Sequence, residues 1–177
     1  MFTCSERTSQ NHYSCASRNA VFNSTFTRTP LPMSSKRKYS VFVVVFRGEP
    51  LDFSKWRHTG LWLVPDDETD KYYFHVCGIP GSFQFEKRTN YDPEFSTKFA
   101  GKIPAGDTKL SLSSSELATL LESVAVRNDD PEFNCQQWVQ KALLMLFHRG
   151  YLDEAQYNAG LDGMIETTME ASDETLA

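Results

Sequence analysis

Cysteine is scarce in this chain: Cys4, Cys15, Cys77 and Cys135 are the only four among 177 residues. That is too few for a disulfide-stapled scaffold and fits a reducing compartment, so a cytoplasmic protein is expected. Long apolar runs are lacking too. Val41 to Phe46 stops after six residues, whereas a bilayer-spanning helix takes about 20, so integral membrane association is not expected. The first residues hold no apolar segment of the secretory type. Positive charge is in deficit. There are 18 Lys and Arg against 23 Asp and Glu, a net charge of −5, which argues against a nucleic-acid partner. No internal repeat is visible.

What is present is 40% hydrophobic and 13% aromatic, enough at this length for one domain with a proper core. Charge is unevenly placed. Across residues 1–38, Glu6 is the single acid beside Arg7, Arg18, Arg28, Lys36, Arg37 and Lys38. Residues 1–37 are expected to be a disordered basic arm rich in Ser and Thr. Mitochondrial presequences share this composition, which makes a mitochondrial location the alternative, although a clear amphipathic Arg stripe is missing. Met33 is a second candidate start. A single domain is expected over 38–170, followed by a frayed acidic tail over 171–177.

Strands come first. Tyr39 to Arg47 is β-branched and aromatic on both faces and predicts an inner strand. Thr59 to Val64, Lys71 to Cys77 and Ser82 to Glu86 predict three more, and residues 95–103 a fifth before Pro104-Ala105-Gly106. Helices follow over Glu116 to Val124, from Pro131 to Gly150, and from about Asp153 to Met169, the last weakened by Gly160 and Gly163. Strands before helices predict an α+β fold, an antiparallel sheet of four or five strands with helices packed on one face.

The segment Asp130-Pro131-Glu132-Phe133-Asn134-Cys135-Gln136-Gln137-Trp138-Val139 is the most informative. Asp130 suits an N-cap and Pro131 the first helical position. Cys135 then falls about a turn and a half into the helix, where the dipole favours thiolate. A thiol nucleophile needs a base, and the base an orienting partner. His12 lies in the arm and His148 at the far end of the same helix. His58 and His75 flank the polar turn 65–70, so a hairpin there puts both on one sheet face, opposite or diagonal, together with Cys77. Packing the cysteine helix on that face would complete the site. The bland alternatives are a cysteine buried as a small hydrophobe and a histidine satisfied within a strand.

Arg57-His58-Thr59-Gly60-Leu61-Trp62, followed by Asn134-Cys135-Gln136-Gln137-Trp138-Val139, resembles the circularly permuted papain-like hydrolases of the NlpC-like superfamily. Within that superfamily it resembles the lecithin:retinol acyltransferase-like and PPPDE-type proteins. The pattern also resembles small uncharacterised fungal proteins with a Phe-Asn-Cys-Gln-x-Trp-Val segment. The resemblance covers about residues 39–150 and implies a permuted papain-like fold. It implies Cys135 as nucleophile, His58 as general base and His75 as the orienting third residue. The segment after Cys135 departs from the retinoid acyltransferases.

The function expected is cysteine-dependent acyl transfer (amidase, peptidase, thioesterase or acyltransferase) on a small-molecule or peptide acyl substrate. No cofactor is called for. Backbone N–H groups at the helix start, with Gln136 or Gln137, would hold the oxyanion, and Trp62 would wall the pocket or the core. Two alternatives stand beside it: a zinc site built from His58, His75, Cys77 and Cys135, and a non-catalytic binding module on the same fold.

Overall fold

The run of Val and Phe after Tyr39 does form an inner strand, β1 (Tyr39–Phe46), buried along most of its length. It is followed by β2 (His58–Pro65), β3 (Tyr72–Cys77), β4 (Gln84–Thr89) and β5 (Phe99–Asp107), then by helices α1 (Ser114–Glu122), α2 (Cys135–His148) and α3 (Glu154–Met169). This computed structural model describes residues 35–173. The expectations for the arm over 1–34, including Cys4, Cys15, His12 and the Met33 start, lie outside the described residues, as does the end of the tail, 174–177.

The five strands form one sheet in the order β4-β3-β2-β1-β5, and every neighbouring pair is antiparallel. The fold is α+β with the helices on one face. Val41, Val43, Leu61, Leu63, Phe74 and Val76 face Leu117, Leu121, Trp138, Val139, Leu143, Leu146 and Met164 in the main core. Each large side chain buried there contributes about 1.5–3 kcal/mol. The opposite face carries a smaller cluster of Val44, Phe46, Trp62 and Tyr73, covered by Tyr91 and Phe99. Tyr91 comes from the β4–β5 connection, which crosses from one sheet edge to the other, and Phe99 opens β5 at its end.

Several boundaries differ from expectation for identifiable reasons. Strand β5 runs on to Asp107 through Pro104-Ala105-Gly106. It is an edge strand, where proline costs no ladder bond, and its register with β1 shifts at Val41/Phe42. Helix α2 begins at Cys135, four residues after Pro131. Asp130 and Pro131 form a turn instead, with Asp130 accepting from the Glu132 N–H at 3.0 Å; Asp then Pro also opens a type I turn. In α3, Gly160 and Gly163 allow close packing on the sheet. A β-carbon at those positions would stand 2.9 Å from Ala105 and 2.5 Å from Ile103. The ends of the domain are tied down. Arg37 pairs with Leu112 through two 2.9 Å backbone bonds, and Asp173 accepts from the Asp52 N–H at 2.7 Å, where an arm and a frayed tail were expected.

Candidate active site

Strands β2 and β3 are ladder-paired only from Leu63↔Tyr72 to Gly60↔His75. Both strands continue beyond that point, to His58 and Cys77. A cavity of about 700 Å³ opens where the pairing ends, and Arg57, His58, Val76, Cys77, Asn134 and Cys135 are among its lining residues.

Helix α2 packs on the face opposite the histidines, contrary to the expected arrangement. Its apolar stripe meets Leu61, Leu63 and Phe74, whereas His58 and His75 share the other face with Phe46 and Tyr73. Cys135 reaches the cavity because it is the first residue of the helix, beside the start of β2. The thiol donates to the Arg57 carbonyl oxygen at 3.7 Å, and Thr59 lies against the sulfur on the other side of His58. Asn134 caps the helix by accepting from the Gln137 N–H at 3.0 Å. That leaves the N–H groups of Cys135 and Gln136 without intrahelical acceptors. Burial pushes the thiol up from its ordinary value. Donors on Thr59 and the N–H groups of Cys135 and Gln136 pull the other way.

His58 Nε2 lies 2.9 Å from His75 Nδ1. The pair is diagonal, since Gly60 is the residue that stands opposite His75. Burial holds both imidazoles below their ordinary value: His58 well below, and His75 at about 4. Burial thus disfavours the charged forms of the Cys135 thiol and of both imidazoles.

The remaining predicted residues have other duties. The Gln136 amide donates to the Ser54 and Arg57 carbonyls at 2.9 and 3.3 Å, fastening the helix start to the turn before β2. The Gln137 amide donates to the Glu132 carbonyl at 3.1 Å. Both side-chain amides are engaged with backbone carbonyls and do not point a free donor into the cavity. Trp62 lies in the second cluster and donates to the Tyr91 carbonyl at 3.0 Å, holding the β4–β5 crossing rather than lining the cavity. Trp56 does line it, with Pro50, Ile79, Pro80 and Phe83.

Among the described residues no group of three or more His, Cys, Asp or Glu is arranged to hold a metal ion. The two imidazoles meet each other, and the four residues of the alternative zinc site form no such group. Sequence reading missed Thr59, Arg57 and Glu86. Thr59 was visible only as the small residue after His58. Arg57 is buried and bonds Asp52 through Nε at 2.8 Å, and Glu86 stands opposite His75 across β3–β4.

Residues 41–153 match the model of a family of unknown function, DUF6540. The chain belongs to that family. No curated protein and no solved structure matches it. Within the DUF6540 match lie β1 from Val41 onward, the other four strands, His58, His75 and Cys135. Among the described residues no helix is long and apolar enough to cross a membrane.

Proposed function

We propose that this DUF6540 protein is a thiol-dependent acyl-transfer enzyme of the permuted papain-like type. The observation that carries it is the placement of Cys135 at the first helical position, on one cavity with a His58 whose Nε2 is held by His75. The order of parts, two histidine strands before the cysteine helix, is that of the permuted arrangement.

The chemistry follows from the geometry. His58 Nδ1 takes the thiol proton as Cys135 Sγ attacks a carbonyl carbon. A C–S bond forms, and the carbonyl electron pair moves to oxygen. The N–H groups of Cys135 and Gln136 stabilise that oxyanion, assisted by the positive end of α2. Collapse breaks the bond to the leaving amine, alcohol or thiol, which takes the proton from His58. Water or an amine, deprotonated by His58, then releases the acyl group and restores the thiol. The apolar side chains of Pro50, Trp56, Ile79, Pro80 and Phe83 around the cavity suit an apolar group beside the reacting carbonyl.

Intact-mass analysis after incubation with a panel of activated acyl esters and thioesters tests this. An acyl adduct is expected on the wild type and lost in Cys135→Ala, with His58→Ala forming it about a hundredfold more slowly. An adduct that survives Cys135→Ala, or a wild type that forms none, overturns the reading.

A further inference from the structure

His75 has a second neighbour on the side away from His58. Glu86 stands directly opposite it in the β3–β4 ladder. Glu86 Oε2 lies 3.2 Å from His75 Nε2, off the line of a good hydrogen bond. The carboxylate is itself held. Arg88 Nε donates to Oε1 at 3.1 Å, and the Cys77 thiol donates to Oε2 at 3.4 Å. Glu86 sits on an edge strand with 31% of its side chain exposed, so the chain of groups runs from the cavity wall, across three strands, to the solvent side of the sheet.

An ionised carboxylate only accepts, and a neutral imidazole carries one proton on one of two nitrogens. Facing Glu86, His75 Nε2 carries the proton and Nδ1 presents a lone pair. Nδ1 in turn faces His58 Nε2, which must then carry a proton. The lone pair of His58 is left on Nδ1, the nitrogen that has to accept from Cys135. We propose that Glu86 is a positioning residue that fixes the tautomers of both histidines and so keeps His58 in its basic form toward Cys135. This rests on the acyl-transfer reading above.

The influences on the pair oppose one another, and burial is the largest. Glu86 favours the protonated imidazoles, while Arg88 on the same strand and burial oppose them. Tyr73 on β3, whose phenol burial pushes up, and the ring of Tyr91 on the crossing lie beside this cluster, and the Cys77 thiol faces it from β3. Arg57, next to His58, is paired with Asp52.

The test uses the full chain, with iodoacetamide as probe and peptide mass spectrometry to read Cys135 apart from the other cysteines. In Glu86→Gln the midpoint of the pH–rate profile is expected to rise by about half to one pH unit. The rate near neutrality is then expected to fall about three- to tenfold. Glu86→Asp, which keeps the charge, is expected to stay nearer the wild-type midpoint. In a His58→Ala background, Glu86→Gln is expected to change nothing further, which a merely structural role would not produce. Imidazole ¹⁵N spectra of the wild type are expected to show both histidines protonated on Nε2. A wild-type midpoint in folded Glu86→Gln, a shift that persists without His58, or a His58 protonated on Nδ1 overturns the role of Glu86. A Cys135 rate indifferent to His58→Ala overturns the acyl-transfer reading itself, and the Glu86 proposal with it.

Discussion

Tyr73 lies over Gly60, so close that a β-carbon on Gly60 would stand 2.4 Å from the tyrosine oxygen and 2.6 Å from two ring carbons. Tyr73 pairs with Trp62 in the ladder, yet its side chain leans along β2 toward His58. Its ring packs 4.7 Å from that of His75. Glycine at position 60 is thus what lets this phenol wall the histidine pair. Gly60→Ala should cost about 1–3 kcal/mol, the usual penalty of overpacking, and should slow Cys135 alkylation by displacing the imidazoles. Urea unfolding checks the first part and the alkylation rate the second. The Tyr73 hydroxyl is buried without a hydrogen-bond partner. Tyr73→Phe should therefore leave stability unchanged or slightly raised; a loss above about 1 kcal/mol would mean that the hydroxyl is bonded.

The histidine pair predicts an acid-side loss of stability. His75 titrates at about 4 in the folded chain because burial disfavours its charge, against about 6.5 when unfolded. Below pH 6.5 the unfolded state binds more protons, so stability rises with pH there and is complete above it. The contribution is lost as pH falls from 6.5 through 4 and is worth at most about 3 kcal/mol. His58, held below its ordinary value for the same reason, adds to it in the same direction. Urea midpoints between pH 4 and 7 should fall with acid in the wild type, and less steeply in His75→Gln. Equal slopes would refute the assignment.

Much of this arrangement was legible in the residues. Strand positions followed from β-branched runs and turn chemistry. That His58 and His75 share a sheet face followed from the hairpin about residues 65–70 and the two-residue period of a strand; whether they stood opposite or diagonal did not. The face taken by α2 was not legible. The histidines are polar, and the alternate residues Leu61, Leu63, Phe74 and Val76 offered the larger apolar surface, so burial put the helix on their side. Cys135 and His58 share one cavity because the β2–β3 ladder stops two residues early, and a one-dimensional pattern does not mark where a ladder ends. The true helix start was hidden for a related reason. Asp130-Pro131 serves a turn as well as a helix, and the deciding residue, Asn134, is an equally good cap one position before Cys135.

Arg57 ties the start of β2 to the far end of the chain. Its guanidinium bonds Asp52 and reaches the Glu170 carbonyl at 3.1 Å, while the Ser172 N–H donates to Asp52 Oδ2 at 3.3 Å. Both charges are buried, with side-chain exposures of 5% and 8%, and the hydrogen bonds from Arg57 hold the Asp52 carboxyl well below the usual range. Asp52→Asn would leave the Arg57 charge buried and unpaired, and should cost about 3–5 kcal/mol. The residue after Arg57 is His58, so Cys135 alkylation should slow in the same variant. Chemical denaturation with a parallel alkylation assay checks both; a loss below about 1 kcal/mol, the worth of an exposed pair, would refute the clasp.

Thr59 separates stability from reactivity. Its side chain is fully buried, and its hydroxyl has no partner in the resting state, where Cys135 is a thiol. The same hydroxyl and the Thr59 N–H favour the ionised sulfur. An unpaired buried hydroxyl costs about 1–3 kcal/mol, so Thr59→Val, nearly equal in shape, should not destabilise the fold and is expected to raise the urea midpoint. The thiolate, however, would lose a donor. The midpoint of the Cys135 alkylation profile should move to higher pH, and acyl-adduct formation should slow, by about tenfold if that donor is worth 1.4 kcal/mol. Opposite signs in the two measurements would identify Thr59 as a group kept for the charged state of the cysteine. If stability and reactivity fall together, the hydroxyl is a packing feature and nothing more.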